Sequence, residues 1–412
     1  MYIIDRIKAL KLIILFAAIP IFVLNSFHIS GFNVEKLLIT FMLLSSVILL
    51  ITFSLIKREN VHYIVHPYFK VLFFLLFVWS CFIILRSLSF NVTDLMSLFG
   101  LPLFAWAWIT PLMIVFGFNI FNWIYIFKFL GKLLLVGSIL TIGFITLFWE
   151  KYAFGLSVLL KFYPVLFLTF SYQTSRYKKI ILLAILCFIL VSFVTSTRIA
   201  FVYMLLTLVF FSVQFFKNKY ISLYKKFFIA GFFILSLLAL SIQIPTLYNK
   251  ISNNKEVTTD TRTFLFVEMF SDMSDSELLV GRGALGTYYS PYFDMLKRAG
   301  VEGGDAATRS ANEVGYLQMI LKGGYIIVVL YLLILIPAAY LGIFKSKNII
   351  SKMSGYLIFI YLLLWTISYL PAYSPEFLFL WMAVGTTISL TARNITDDEL
   401  QKYMKRGNIV ER

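Results

Sequence analysis

Apolar runs of about 18 residues or more recur along most of this chain, each long enough to cross a hydrocarbon core roughly 30 Å thick. No other feature restricts the fold as strongly. Lipid offers nothing to the backbone N–H and C=O groups, so every crossing segment must satisfy them internally. A β-barrel does this with short alternating segments. These runs do not alternate, which leaves helices and an all-α polytopic membrane protein. The composition agrees: 60% of the 412 residues are hydrophobic and 14% are charged. The mean hydropathy is +0.89, whereas a soluble chain is about half apolar. The first run, Leu12 to Leu24, is followed by no small-x-small cleavage site and reads as a retained span. Cys81 and Cys187 lie inside apolar runs and read as small core residues.

The runs place about twelve spans, near 12–28, 37–56, 71–89, 95–117, 133–149, 153–171, 180–196, 199–216, 227–245, 313–344, 353–371 and 377–392, with 118–132 as a tilted segment. Alternate connections are basic. Arg6, Lys8 and Lys11 precede the first span, Lys57, Arg58 and Lys70 follow the second, and the stretches SRYKK (175–179), KNKYISLYKK (217–226) and KSKNIISK (345–352) continue the pattern. The positive-inside rule makes that side cytoplasmic, together with both termini. The expected organisation is nine spans in 1–245, a large extracytoplasmic loop with short helices in 246–312, three spans in 313–392 and a cytoplasmic tail in 393–412.

The net charge of +16 is therefore an orientation signal, and no interleaved basic and aromatic patch points to nucleic acid. The loop through Glu313 holds seven Lys/Arg against ten Asp/Glu, so the basic excess lies elsewhere. A connection this long folds on itself or carries function. TRTFLFVEMF (261–270) puts Phe264, Val267, Met269 and Phe270 on one helical face suited to a membrane surface. SPYFDMLKRAG (290–300) reads as a short helix stopped by Gly300.

Four arginines stand out. Arg198, in VTSTRIAFVY, opens an apolar span; it faces a polar partner or snorkels to the interface. Arg262 follows Asp260, which offers a local ion pair. Arg282 lies between Gly281 and Gly283, which permit φ > 0 and close backbone approach, the makings of an anion nest. Arg309 stands where a polar loop turns into an apolar helix, in GGDAATRSANEVGYLQMILKGGY (303–325). There Ser310 and Glu313 have the spacing of a capping box. Lys322, Gly323 and Gly324 suggest tight helix contact or a kink. A guanidinium stays charged and pairs bidentately with phosphate, so several arginines around one cavity suit a pyrophosphate-bearing substrate. His62 and His66 have an i,i+4 spacing but no third ligand nearby in sequence, and read as solvated loop histidines. No P-loop, GxGxxG or Ser/His/Asp set is visible.

On these residues the chain resembles the bacterial O-antigen polymerase (Wzy-type) family, within the group that includes O-antigen ligases. TSTRIAF is similar to the family's small-polar-Arg segment, LLVGRGALG to its glycine-rich loop element, SANEVGYLQMILKGGY to its HNxYL element, and AYSPEFLFLW (372–381) to an S-P-E motif near the last span. Ser310 stands where ligases carry a histidine, and no glycine stands eleven residues after Arg262, Arg282 or Arg309. The resemblance implies a GT-C-like, metal-independent glycosyltransferase with no cofactor, in the bacterial cytoplasmic membrane. Its substrate would be a polyprenyl-pyrophosphate-linked oligosaccharide, undecaprenyl in the usual case. It would build a surface polysaccharide, O-antigen or capsule, with a chain-length regulator as a further partner. Arg198, Arg262, Arg282 and Arg309 would hold pyrophosphate. Asn312, Gly281 and Gly283 would line the site, and Glu313, or else Asp305, would orient or deprotonate the acceptor hydroxyl. The competing expectations are a ligase that moves finished glycan to lipid A core, and a lipid-linked oligosaccharide flippase.

Overall fold

The computed structural model describes residues 2–27, 32–58, 64–89, 91–148, 159–170, 173–194, 198–217, 263–298, 307–368 and 371–410. The chain is helical, and its long apolar helices make it a membrane protein. Among the described residues, 67–85, 121–143 and 315–345 are long and apolar enough to cross a membrane; a bent pair makes a fourth. The exposed surface of these helices is itself apolar. Val71, Phe74, Phe77, Val78 and Leu85 form one such stripe, and Val329, Leu333, Ile336, Tyr340 and Phe344 form another. Spaced by three, four or seven residues, such stripes are stable only against lipid or another apolar surface.

Helices α1 (Tyr2–Phe27) and α2 (Phe32–Arg58) form a hairpin. Buried Ser45 ties it to the rest, donating to the Ile13 carbonyl at 2.9 Å and sharing a 2.8 Å bond with the Tyr373 hydroxyl. His66 caps α3 (Pro67–Leu85) by accepting from the Tyr68 N–H, so its role there is local to the helix start. His62 lies outside the described residues.

The span expected over 95–117 is broken. Helix α4 (Val92–Gly100) and the 3-10 segment Ala105–Met113, which runs into α5 (Ile114–Gly117), are bent by 41°. Pro102, which has no N–H to continue a ladder, lies in the break, and its carbonyl accepts from Tyr373 N at 2.7 Å. The tilted segment 118–132 and the span 133–149 are instead one helix, α6 (Phe121–Phe148). The apolar period simply continues through Lys128 and Lys132. Of the span expected over 153–171, the described part is helical at 159–160, turns at 161–162 and continues as the short α7 (Tyr163–Phe167); residues 153–158 lie outside the described residues. Helices α8 (Ser175–Val194) and α9 (Arg198–Lys217) follow as expected. The span placed at 227–245 lies outside the described residues.

In the loop, α10 (Thr263–Asp272), α11 (Asp275–Val280) and α12 (Pro291–Arg298) surround a two-stranded antiparallel ribbon, β1 (Tyr288–Tyr289) with β2 (Thr308–Arg309). Helix α10 turns Leu265 and Met269 into the loop's own core with Phe293, Leu317 and Ile320, and leaves Val267 exposed, so Val267 does not share the packed face. Gly300 lies outside the described residues.

The long α13 (Gly315–Lys345) and α14 (Ile349–Leu364) pack beside α15 (Pro375–Ile388), which is buried along its whole length. Short α16 (Leu390–Asn394) and α17 (Asp397–Val410) end the described chain. Helix α15 reaches its neighbours through small residues, as membrane helices do when backbones must approach closely. A Cβ on Gly385 would overlap the Ile114 carbonyl of α5, while one on Gly143 meets open space. Gly385→Ala should therefore cost about 1–3 kcal/mol and lower the thermal midpoint in detergent. Gly143→Ala should leave that midpoint unchanged.

Candidate functional site: a loop seated on a broken helix

Helix α13 is interrupted about a third of the way along. Gly324 has φ 69° and ψ −172°, a region only glycine occupies without strain. The interruption frees the carbonyls of Leu321, Lys322 and Gly323 from their i+4 donors. The loop supplies replacements. Arg282 N donates to Leu321 O at 2.8 Å and Gly283 N to Lys322 O at 3.0 Å. The Trp79 indole of α3 donates to Gly323 O at 2.8 Å. The same loop stretch also grips α3: Ala284 N donates to Ile83 O at 3.1 Å, Leu285 N to Ser87 Oγ at 3.0 Å, and the Arg86 guanidinium to Gly281 O. Gly281 and Gly283 do have positive φ, 76° and 82°. A Cβ at Gly281 would overlap the Lys322 carbonyl. Their N–H groups and that of Arg282 between them, however, go to Glu277 O, Lys322 O and Leu321 O rather than converging on an empty nest. The two glycines serve chain against chain.

Lys322 is fully buried at the break. A lysine within a membrane segment is costly unless held. Here its ammonium donates to Gly286 O at 2.7 Å and lies 4.9 Å from the Phe104 ring centroid. It therefore ties the loop turn to the helix interior.

Arg282 is held by the loop itself. Its Nε donates to Glu277 Oε1 at 3.0 Å, Nη1 to Asp272 Oδ2 at 2.5 Å and Thr287 O at 2.7 Å, and Nη2 to Asp272 O at 2.6 Å and Glu277 Oε2 at 2.9 Å. A guanidinium has five N–H donors, and these bonds use all of them. Arg282 has none left for a phosphate. Its hydrogen bonds hold the Glu277 carboxyl down at about 2. Ser274 and Glu277 also form a complete capping box on α11.

The capping box expected at Ser310 and Glu313 does not form. The helix begins at Gly315 with Val314 as its cap residue. Buried Asn312 makes the turn: its Oδ1 accepts from Val314 N at 3.0 Å, and its N–H donates to Gln318 Oε1 at 2.8 Å. Asn312 is thus engaged within the seam and closed to solvent. Glu313 is released from capping and stands 3.8 Å from Arg309 Nη2; their side chains are 56% and 23% exposed. Arg309 lies over Phe293, with Cζ 3.7 Å from the ring centroid, within cation–π range. Across the ribbon it faces Tyr288. Burial pushes the Tyr288 phenol up to about 12, and its hydroxyl has no hydrogen-bond partner. Among the described residues the Arg309 guanidinium makes no hydrogen bond, so its donors are available to a ligand.

No family model, curated protein or solved structure matches this chain.

The expected site thus divides. Arg309 and Glu313 come together at an exposed rim, while Arg282, Gly281, Gly283 and Asn312 serve the docking of the loop. Arg262, Asp305 and the side chain of Arg198 lie outside the described residues; the backbone of Arg198 opens α9. Sequence reasoning passed over Glu268. Buried in α10, it accepts from Ser290 Oγ at 2.5 Å and Tyr292 N at 2.9 Å and so anchors the start of α12. An acid in an otherwise apolar helical stretch was its one signal. Glu376 entered only as part of the S-P-E motif, with no role, and Lys161, 3.5 Å from it inside the bundle, was passed over.

Proposed function

We propose that this chain is a membrane-embedded glycosyltransferase of the O-antigen polymerase type. It joins polyprenyl-pyrophosphate-linked repeat units into surface polysaccharide on the face of the membrane that bears the loop. That face is the outer one by the placement of basic connections. The reading keeps about twelve spans, a GT-C-like architecture, both termini in the cytoplasm and no metal in the chemistry. Its support is one observation above others: Arg309 is a guanidinium pre-oriented on Phe293, with unused donors, at the rim of a folded loop docked onto a membrane helix. Such a group can grip a pyrophosphate bidentately and stabilise the charge that grows as it leaves. Glu313 beside it serves as a mobile counter-ion that phosphate displaces.

Arg309→Ala, with expression verified, should reduce long-chain glycan about 100-fold, the usual scale for losing one such stabilising group. Arg309→Lys should recover only part, because an ammonium lacks the planar fork. Unchanged laddering on a gel would overturn the assignment. In a deletion strain, single repeat units still attached to their acceptor support a polymerase. Complete loss of attachment supports a ligase instead.

A further inference from the structure

Glu376 is the second residue of α15, following the cap residue Ser374 and Pro375. Its side chain is 9% exposed, and the Lys161 ammonium stands 3.5 Å from Oε1. That oxygen is buried and accepts no hydrogen bond. The first turn of a helix tolerates negative charge, which explains why a carboxylate can sit here. It does not explain an acceptor left bare, since buried polar atoms are nearly always bonded.

The surroundings repeat the pattern. Tyr203 of α9 lies within electrostatic reach of Glu376. Its ring is 6.2 Å from that of Tyr361, which is 5.9 Å from Phe377. Trp365 stacks on Phe377 at 5.8 Å and 14°, with Tyr331 5.8 Å away. The Trp365 indole N–H and the Tyr331 hydroxyl are both buried without a partner. A carboxylate oxygen that faces an ammonium but accepts no hydrogen bond, two donors lacking acceptors and several aromatic side chains thus gather in one part of the bundle. A sugar supplies what each lacks: hydroxyls that both donate and accept, and a ring face to lay on aromatic side chains. Arg198 opens the helix that carries Tyr203, about 7.5 Å of helical rise away.

Resting on the glycan-polymerase reading, we propose that this cluster is the acceptor-sugar site and that Glu376 is its general base, with Lys161 as counter-ion. The acceptor hydroxyl gives its proton to Glu376 Oε1. Its oxygen bonds to the anomeric carbon of the donor glycan. The bond from that carbon to the pyrophosphate oxygen breaks, and its electron pair leaves with polyprenyl pyrophosphate. Glu376 then passes the proton to water. This moves the base from the exposed Glu313 to a largely buried carboxylate.

The test uses the full chain in proteoliposomes, with lipid-linked repeat units extracted from a source strain lacking this protein. Glu376→Gln keeps the shape and removes the base. It should lower kcat about 100-fold or more while leaving KM for the lipid-linked unit nearly unchanged. Glu376→Asp, which keeps the charge beside Lys161, should lower kcat about tenfold at similar KM, because the shorter arm displaces the base. If Glu376→Gln does not yield folded protein, Glu376→Asp decides alone. Either folded variant turning over at the wild-type rate overturns the assignment and leaves the polymerase reading standing. Wild-type protein that makes no polymer from these units overturns both.

Discussion

Gly324→Val should undock the loop and unfold the upper part of the bundle. Valine cannot adopt φ 69° with an extended ψ without strain, and its Cβ would overlap the Leu279 carbonyl at the end of α11. Strain and overlap together should cost roughly 3–5 kcal/mol, a large share of the stability of any domain. If the helix instead straightens to relieve them, Leu321 and Lys322 recover their own donors. The N–H groups of Arg282 and Gly283 then lose their acceptors. Either outcome should appear as a lower thermal midpoint in detergent and as rapid protease cleavage between 281 and 286. A variant with wild-type melting and protease resistance would show that the break is dispensable. Gly323→Ala is a milder comparison, because its Cβ would meet the side chains of Ile83 and Ile327 rather than backbone, and Gly323 needs no positive φ.

Arg282→Ala should be the next most damaging change. It removes the common partner of Asp272 and Glu277, whose carboxylates then face each other without a cation. It also strips the Asp272 and Thr287 carbonyls of their donors. The pairs are partly exposed, which lowers the loss below that of a fully buried pair, to about 2–3 kcal/mol. Arg282→Lys should restore little, since one ammonium cannot span two carboxylates and two carbonyls. Acid should imitate the mutation. Glu277 has its folded value depressed to about 2 by Arg282, against about 4.3 when unfolded. Its contribution is present above the unfolded value and disappears as pH falls from about 4.3 through 2. Hydrogen exchange of residues 275–290 across that window reads it directly. In Arg282→Ala the acid-dependent part should vanish. Because no donor of Arg282 is free, the glycan defect of this variant should track its loss of folded protein, whereas that of Arg309→Ala should not.

These two residues also show what a sequence can and cannot reveal. Apolar runs announced most helices, since length and hydropathy suffice where lipid is the solvent. The positive φ of Gly281 and Gly283 was legible because glycine flanking a turn has few other uses. The break at Gly324 was not, because a Gly–Gly pair inside a span signals packing as readily as interruption. Ser310 with Glu313 and Asn312 with Gln318 offered competing ways to start α13. The second won because Asn312 is buried against Met269, a contact forty-three residues away in sequence. Arg282 looked available only because Asp272 approaches it through the fold of the loop. Glu376 and Lys161 are separated by more than two hundred residues, so only packing could bring them together. No local spacing encodes such a pair.

The interruption of α13 has a consequence for biogenesis. The chain emerges with Ile83 first, then the loop, and last the helix whose freed carbonyls the loop requires. Residues 281–286 therefore cannot complete their bonds when they leave the translocation machinery. They wait until residues 321–324 have been made and folded. Seating of the loop thus reports that a membrane helix made after it has been inserted. The rim bearing Arg309 is finished only once the span following it is in place.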